Sequence, residues 1–150
     1  MCFVLYVGTS SPMQPRAWNK DAPDVNVRPL VEEELPIKAH FTTREVQYVG
    51  STSNCGCDFP HATFQGGGWP EIGYVNDLEP YPESAPSNQY NRKRLVDVLR
   101  STGEETVELY GVWAEDYARS PESRETIKLE RILDSDFLFK ERGFYKVIAR

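Results

Sequence analysis

Apolar runs and alternating apolar and polar residues predict several β-strands along the chain. Residues 2–8 form a β-branched and aromatic run that ends at Gly-Thr-Ser-Ser-Pro, a pattern typical of a buried strand that stops at a turn. The same criteria predict strands at residues 25–30, 36–41, 45–50, 106–113 and 126–132. Residues 137–140 and 144–148 flank a glycine and predict a hairpin at the end of the sequence.

One helix is predicted at about residues 86–102, ending at Gly103 as a C-terminal cap. Its apolar stripe consists of Tyr90, Leu95, Val98 and Leu99, and its outward face of Arg92, Lys93, Arg94 and Arg100. One helix cannot cover both faces of a parallel sheet. The sequence therefore predicts an α+β fold in which an antiparallel or mixed sheet is packed by this helix.

A long segment rich in glycine, proline and aromatic residues separates the strands from the helix. Between residues 58 and 86 no periodic element fits, and such long loops in compact domains usually serve binding. The aromatic side chains Trp69, Tyr74 and Tyr81 are candidate anchors for a small-molecule or protein partner, because aromatic rings give large contact areas. The alternative is that they pin the loop to the core.

Length and charge narrow the class of protein. The chain has 150 residues, of which 39% are apolar, and this size predicts a single globular domain over residues 1–150. A net charge of -6 disfavours nucleic acid and anionic membranes as partners. No apolar run reaches the roughly 20 residues of a membrane helix. We therefore expect a cytoplasmic protein, as a monomer or a homodimer. The three consecutive glutamates at residues 32–34 are expected to lie on the solvated surface.

The strongest candidate for chemistry is the sequence Cys55-Gly56-Cys57 followed by His61. Thiolates and imidazole are ligands that zinc prefers, so Cys55, Cys57 and His61 form a candidate zinc site. The fourth ligand would be Cys2, His40 or Asp58. If the strands at residues 2–8 and 45–50 are neighbours, their two turns could lie at one edge and bring Cys2 near Cys55.

Three other interpretations of these residues remain open. The two cysteines could form a reducible disulfide, or one of them could act as a nucleophile with His61 or His40 as base. Cys2 could itself be an N-terminal nucleophile after removal of Met1. Alternatively, the cysteines are small packed side chains in a turn, and His61 is a hydrogen-bonded structural residue.

The stretches MCFVLYVGT, YVGSTSNCGCDFPH, TVELYGVW and FKERGFYKV resemble a group of short bacterial proteins with no established activity. The resemblance implies a bacterial, cytosolic, single-domain protein and carries over no catalytic residue. The sequence has no paired carboxylates, phosphate loop or nucleophile elbow, which disfavours an enzyme. The expected function is a small ligand- or protein-binding domain, with a zinc or thiol site at Cys55, Cys57 and His61 as the alternative.

Overall fold

The computed structural model describes residues 2–64, 78–80 and 85–150, which form an α+β fold. One α-helix is described, α1 (Ala85–Arg100), together with 3-10 helices at Glu32–His40 and Leu129–Leu133. In chain order the described strands are β1 (Phe3–Thr9), β2 (Asn26–Pro29), β3 (Glu45–Gly50), β4 (His61–Phe64), β5 (Leu78–Pro80), β6 (Thr106–Trp113), β7 (Ser123–Lys128), β8 (Phe139–Lys140) and β9 (Gly143–Ile148).

The strands form a large mixed sheet and a small one. The large sheet has six strands in the order β2-β3-β1-β6-β9-β7, and the small sheet has the order β5-β4-β8. In the large sheet β7 runs parallel to β9, whereas the other neighbouring pairs are antiparallel. This arrangement confirms the predicted α+β class with a mixed sheet. In the part of the chain described, no helix is long and apolar enough to cross a membrane.

The central strand β1 is buried on both faces, which explains its unbroken apolar sequence. Phe3, Leu5 and Val7 lie in the core cluster that contains Leu95 and Leu99 of α1. The intervening Val4 and Tyr6 belong to a second cluster with Ile37 of the first 3-10 helix. Helix α1 thus covers one face of the sheet, and Gly103, with φ 71, follows its end as predicted.

The predicted strand at residues 36–41 is wrong, because the 3-10 helix Glu32–His40 occupies this segment. Its start is stabilised by Glu34, whose carboxylate accepts the backbone N–H of Val31 at 2.9 Å. Ile37 is fully buried while its immediate neighbours are exposed, so its side chain packs this helix against the sheet. The alternation of residue types in this segment therefore reflected a half-buried short helix.

The predicted C-terminal hairpin is also wrong, since its two strands belong to different sheets. Strand β8 pairs in parallel with β4, with Phe139 opposite His61, whereas β9 lies between β6 and β7. The turn residue in the left-handed region is Arg142, with φ 54, rather than the glycine after it. Residues 126–132 were predicted as one strand. In the structure β7 ends at Lys128, and a 3-10 helix begins at Leu129.

Three predictions about exposure are wrong, and two of them fail because a charged side chain is buried with its partners. Arg92 was predicted to face outward, but it is buried in α1 and donates hydrogen bonds to the carbonyls of Ile132 and Asp134. Tyr90, which was predicted to join the apolar stripe, is 45% exposed. Glu34 of the acidic triplet is buried and forms an ion pair with Arg28 at 2.7 Å.

Glu34 is the centre of a polar network beneath the first 3-10 helix. Its carboxylate accepts hydrogen bonds from the Tyr6 hydroxyl at 2.5 Å and from both terminal nitrogens of Arg28. The Arg28 guanidinium also lies 3.8 Å from the centre of the Tyr48 ring. We call Tyr6, Arg28, Glu34 and Tyr48 the Glu34 network. It joins β1, β2 and β3 to the helix above them.

Candidate metal centre

The three cysteines of the chain meet at one point on the molecule. The sulfur atoms of Cys2, Cys55 and Cys57 all lie within 4.8 Å of one another, and each residue is half-buried. None of them is in a disulfide. Cys2 directly precedes β1, whereas Cys55 and Cys57 lie in the turn that follows β3. We call these residues the three-sulfur cluster.

Strand order explains why Cys2 joins the other two cysteines. β1 and β3 are antiparallel neighbours, with Leu5 opposite Val49, so the beginning of β1 lies beside the end of β3. The Gly56 N–H then donates to the carbonyl of Phe3 at 2.8 Å, which ties the cysteine turn to the beginning of β1. Cys2 is therefore close to Cys55 as expected. However, the two glycine turns lie at opposite ends of the strands, because the pair is antiparallel.

Ser51 organises the turn that carries Cys55 and Cys57. Its backbone N–H and its hydroxyl both donate to the carbonyl of Cys55 at 2.6 Å. The same hydroxyl accepts the backbone N–H of Asp58 at 3.2 Å. Asn54 has φ 70, a left-handed conformation that asparagine tolerates better than most residues. The sequence Ser-Thr-Ser-Asn before Cys55 is thus a closed turn built from local hydrogen bonds.

Residues distant in sequence hold this turn in place. The Tyr48 hydroxyl donates to the carbonyl of Asn54 at 2.6 Å, and the Trp18 indole N–H donates to the carbonyl of Thr52 at 3.0 Å. The backbone N–H of Thr52 donates to the Oδ1 of Asn91 in α1, and the Nδ2 of Asn91 donates to the Thr52 hydroxyl, both at 3.0 Å. Contacts from a strand, a helix and an irregular segment therefore fix the conformation of the turn.

Hydrogen bonds converge on the sulfur of Cys55. The Cys57 backbone N–H donates to it at 3.4 Å, the Ser53 hydroxyl lies 3.4 Å from it, and the thiols of Cys57 and Cys2 adjoin it. The bond from the Cys57 thiol, with the smaller contributions of the others, lowers the pKa of Cys55 despite its burial. The same bond raises the pKa of Cys57, and burial adds to this effect. Cys55 is therefore the first thiol of this pair to ionise.

This asymmetry predicts that Cys55 reacts with iodoacetamide in mild acid. Only the thiolate is the nucleophile, so a lowered pKa leaves Cys55 reactive at about pH 6, where an ordinary thiol is almost fully protonated. The measurement is site-resolved mass spectrometry of the reduced protein alkylated at several pH values. We expect Cys55 to be labelled before Cys57 throughout. Simultaneous labelling of both thiols with an ordinary pH dependence would contradict the assignment.

The two histidines have other contacts in the structure. The Nδ1 of His61 lies 2.7 Å from the carbonyl oxygen of Phe59, and its ring stacks on Phe3 with a centroid distance of 4.4 Å. Burial lowers the pKa of His61. The Nε2 of His40 lies 2.9 Å from the carbonyl oxygen of Tyr117. Neither histidine belongs to the group of mutually close ligand atoms, which consists of the three cysteines.

The sequence missed the residues that support the cluster. Ser51 and Asn91 carry no motif, and their role depends on a turn conformation and on the position of α1. The predicted anchors Trp69, Tyr74 and Tyr81 lie outside the described residues.

We compared the chain with models of protein families, with curated proteins and with solved structures, and none of these comparisons found a match.

Proposed function

We propose that this protein binds a thiophilic metal ion, with Zn²⁺ as the principal candidate, through Cys2, Cys55 and Cys57. The observation that carries the proposal is the mutual proximity of the three sulfur atoms, all within 4.8 Å. Two remote segments of the chain supply these sulfurs, so simple neighbourhood in sequence does not explain their convergence. The other expected function, a binding surface around Trp69, Tyr74 and Tyr81, falls on residues outside those that the structure describes.

The spacing of the three sulfurs is compatible with binding of a zinc ion. With zinc–sulfur bonds of about 2.3 Å and tetrahedral angles, the sulfurs of a zinc site lie about 3.8 Å apart. The three sulfurs, within 4.8 Å of one another, would therefore contract by at most about 1 Å on binding. Three thiolates leave the fourth position of a tetrahedral site for another ligand, and the half-buried cluster is open to solvent.

Metal binding also allows Cys55 and Cys57 to be ionised at the same time, which their hydrogen bonds oppose in the metal-free cluster. Hydrogen bonds favour one thiolate, at Cys55, but the same bonds oppose ionisation of Cys57. A divalent cation replaces the shared protons and stabilises the thiolates together. Binding must therefore release protons, and the apparent affinity for zinc is expected to increase with pH.

The experiment is a zinc titration of the reduced protein in competition with a chromophoric chelator. We expect one ion per chain and a loss of affinity of at least about tenfold for each of Cys2→Ser, Cys55→Ser and Cys57→Ser. Ser101→Ala is the control, since Ser101 caps the end of α1 through its bond to Val98. Absence of binding, or cysteine variants that match Ser101→Ala, would refute the proposal.

Cobalt substitution identifies the ligands directly. The intensity of the thiolate-to-cobalt charge-transfer bands should decrease in each single cysteine variant. A fourth ligand from His61 would appear as a spectral change in His61→Gln, whereas a spectrum like that of the unmodified protein would assign the fourth position to a ligand other than His61. Both results are compatible with the three-cysteine site. Unchanged charge-transfer bands in the cysteine variants would exclude that site.

A further inference from the structure

We propose that the three-sulfur cluster is also a peroxide-responsive switch, in which oxidation closes a disulfide at Cys55 and releases the metal. The disulfide joins Cys55 to Cys57 or to Cys2. The oxidant is hydrogen peroxide or an organic hydroperoxide. The release of metal rests on the proposed function, whereas formation of the disulfide depends only on the positions of the thiols.

The geometry gives Cys55 two resolving partners. The sulfurs of Cys57 and Cys2 both lie within 4.8 Å of the Cys55 sulfur and of each other. A disulfide requires a sulfur separation of about 2.05 Å, so either pair must close by less than about 3 Å. Cys2 and Cys57 reach Cys55 from different segments. The loss of either one therefore leaves the other as a partner for Cys55.

Hydrogen bonds also distinguish Cys55 as the attacking sulfur. The Ser53 hydroxyl and the Cys57 backbone N–H both lie 3.4 Å from it. Ser53 is exposed, and Cys55 is half-buried, so a small peroxide can reach this sulfur from solvent. A zinc site enclosed by four protein ligands in a core would lack this access.

The reaction balances in two steps. The Cys55 thiolate attacks one peroxide oxygen, the O–O bond breaks, and the products are a sulfenic acid and hydroxide, or an alcohol from a hydroperoxide. A second thiolate, from Cys57 or Cys2, then attacks the sulfenic sulfur and displaces hydroxide, which forms the disulfide. Two thiolates are oxidised by two electrons, and one peroxide is reduced. The metal loses two of its three cysteine ligands.

The test treats zinc-loaded protein with substoichiometric hydrogen peroxide. We expect about one zinc released per peroxide consumed, a mass lower by two hydrogens, and a cross-linked peptide that contains Cys55. Dithiothreitol should restore the original mass and zinc binding. Thiols that stay reduced, or a Cys55 that proceeds to sulfinic acid without a disulfide, would overturn the switch.

Variants and the metal-free protein separate this proposal from the metal site itself. Cys2→Ser and Cys57→Ser should each still form a disulfide, through the remaining partner, whereas Cys55→Ser should react at least about tenfold more slowly. The same masses are recorded on zinc-free protein. If the chain binds no zinc but forms the Cys55 disulfide, the proposed function fails and the thiol chemistry stands. If zinc binds and no disulfide forms, the switch fails.

Discussion

Glu34→Ala is expected to lower the free energy of unfolding by about 2–4 kcal/mol, one of the two largest effects we predict. The substitution leaves the buried Tyr6 hydroxyl without its acceptor and Arg28 without its ion-pair partner. The side chain of Arg28 is 40% exposed, so water compensates part of its loss and keeps the effect below that of a fully buried pair. Chemical denaturation at neutral pH measures the difference.

Glu33→Ala is the matched control for this prediction. Glu33 is the preceding residue on the same 3-10 helix and has the same charge, but it is exposed. A surface substitution of this kind is expected to change stability by less than about 0.5 kcal/mol. Equal effects of the two substitutions would show that the Glu34 network contributes nothing beyond general surface charge.

The pH dependence of Glu34→Gln tests the same network through its charge. Burial opposes ionisation of Glu34, but hydrogen bonds from Arg28, Tyr6 and Val31 outweigh burial and lower its pKa in the folded protein. A lowered folded-state pKa contributes stability above the pKa of the unfolded chain, and this stability is lost as pH falls through the folded-state value. The difference between the original protein and Glu34→Gln should therefore shrink in acid.

The sequence correctly predicts the strands and the helix whose hydrophobic pattern matches their burial in the structure. The apolar run of β1 and the alternation in β6 correspond to strands, and helix α1 lies where its apolar stripe and Gly103 place it. These elements could be predicted because each buries a continuous face of its own. Residues 36–41 show the limit, since a 3-10 helix that buries the apolar side chain of Ile37 between exposed neighbours produces the same short alternation.

The sequence could not predict which residues far apart in the chain lie next to each other in the fold. Cys2 joins Cys55 because β1 and β3 are antiparallel neighbours, and no local pattern specifies strand order. Glu34 looks like one of three solvated acids until Arg28 is placed beside it on β2. Likewise, β8 pairs with β4 across the chain, although its sequence is equally compatible with a hairpin to β9.

Phe3→Ala is expected to destabilise the protein by about 3–5 kcal/mol and to weaken zinc binding as well. Phe3 is fully buried, and its ring stacks on His61 in the core beneath the cysteine turn. A Cβ at Gly56 would lie only 3.2 Å from the Phe3 ring, so the ring is part of the surface on which the turn rests. Loss of the ring leaves a cavity directly below Cys55 and Cys57, and we expect affinity to fall several-fold.

Phe144→Ala is the control that distinguishes a general loss of core packing from the loss of the Phe3 ring beneath the three-sulfur cluster. Phe144 is almost as buried as Phe3, but it lies in β9 within the second core cluster, where it packs against Phe41 and Tyr110. Its replacement should cost a similar free energy of unfolding while leaving zinc affinity unchanged under conditions in which both variants are folded. Urea denaturation and zinc titration of the two variants provide both quantities. Equal losses of affinity would mean that global stability alone, rather than the Phe3 ring beneath the turn, controls the three-sulfur cluster.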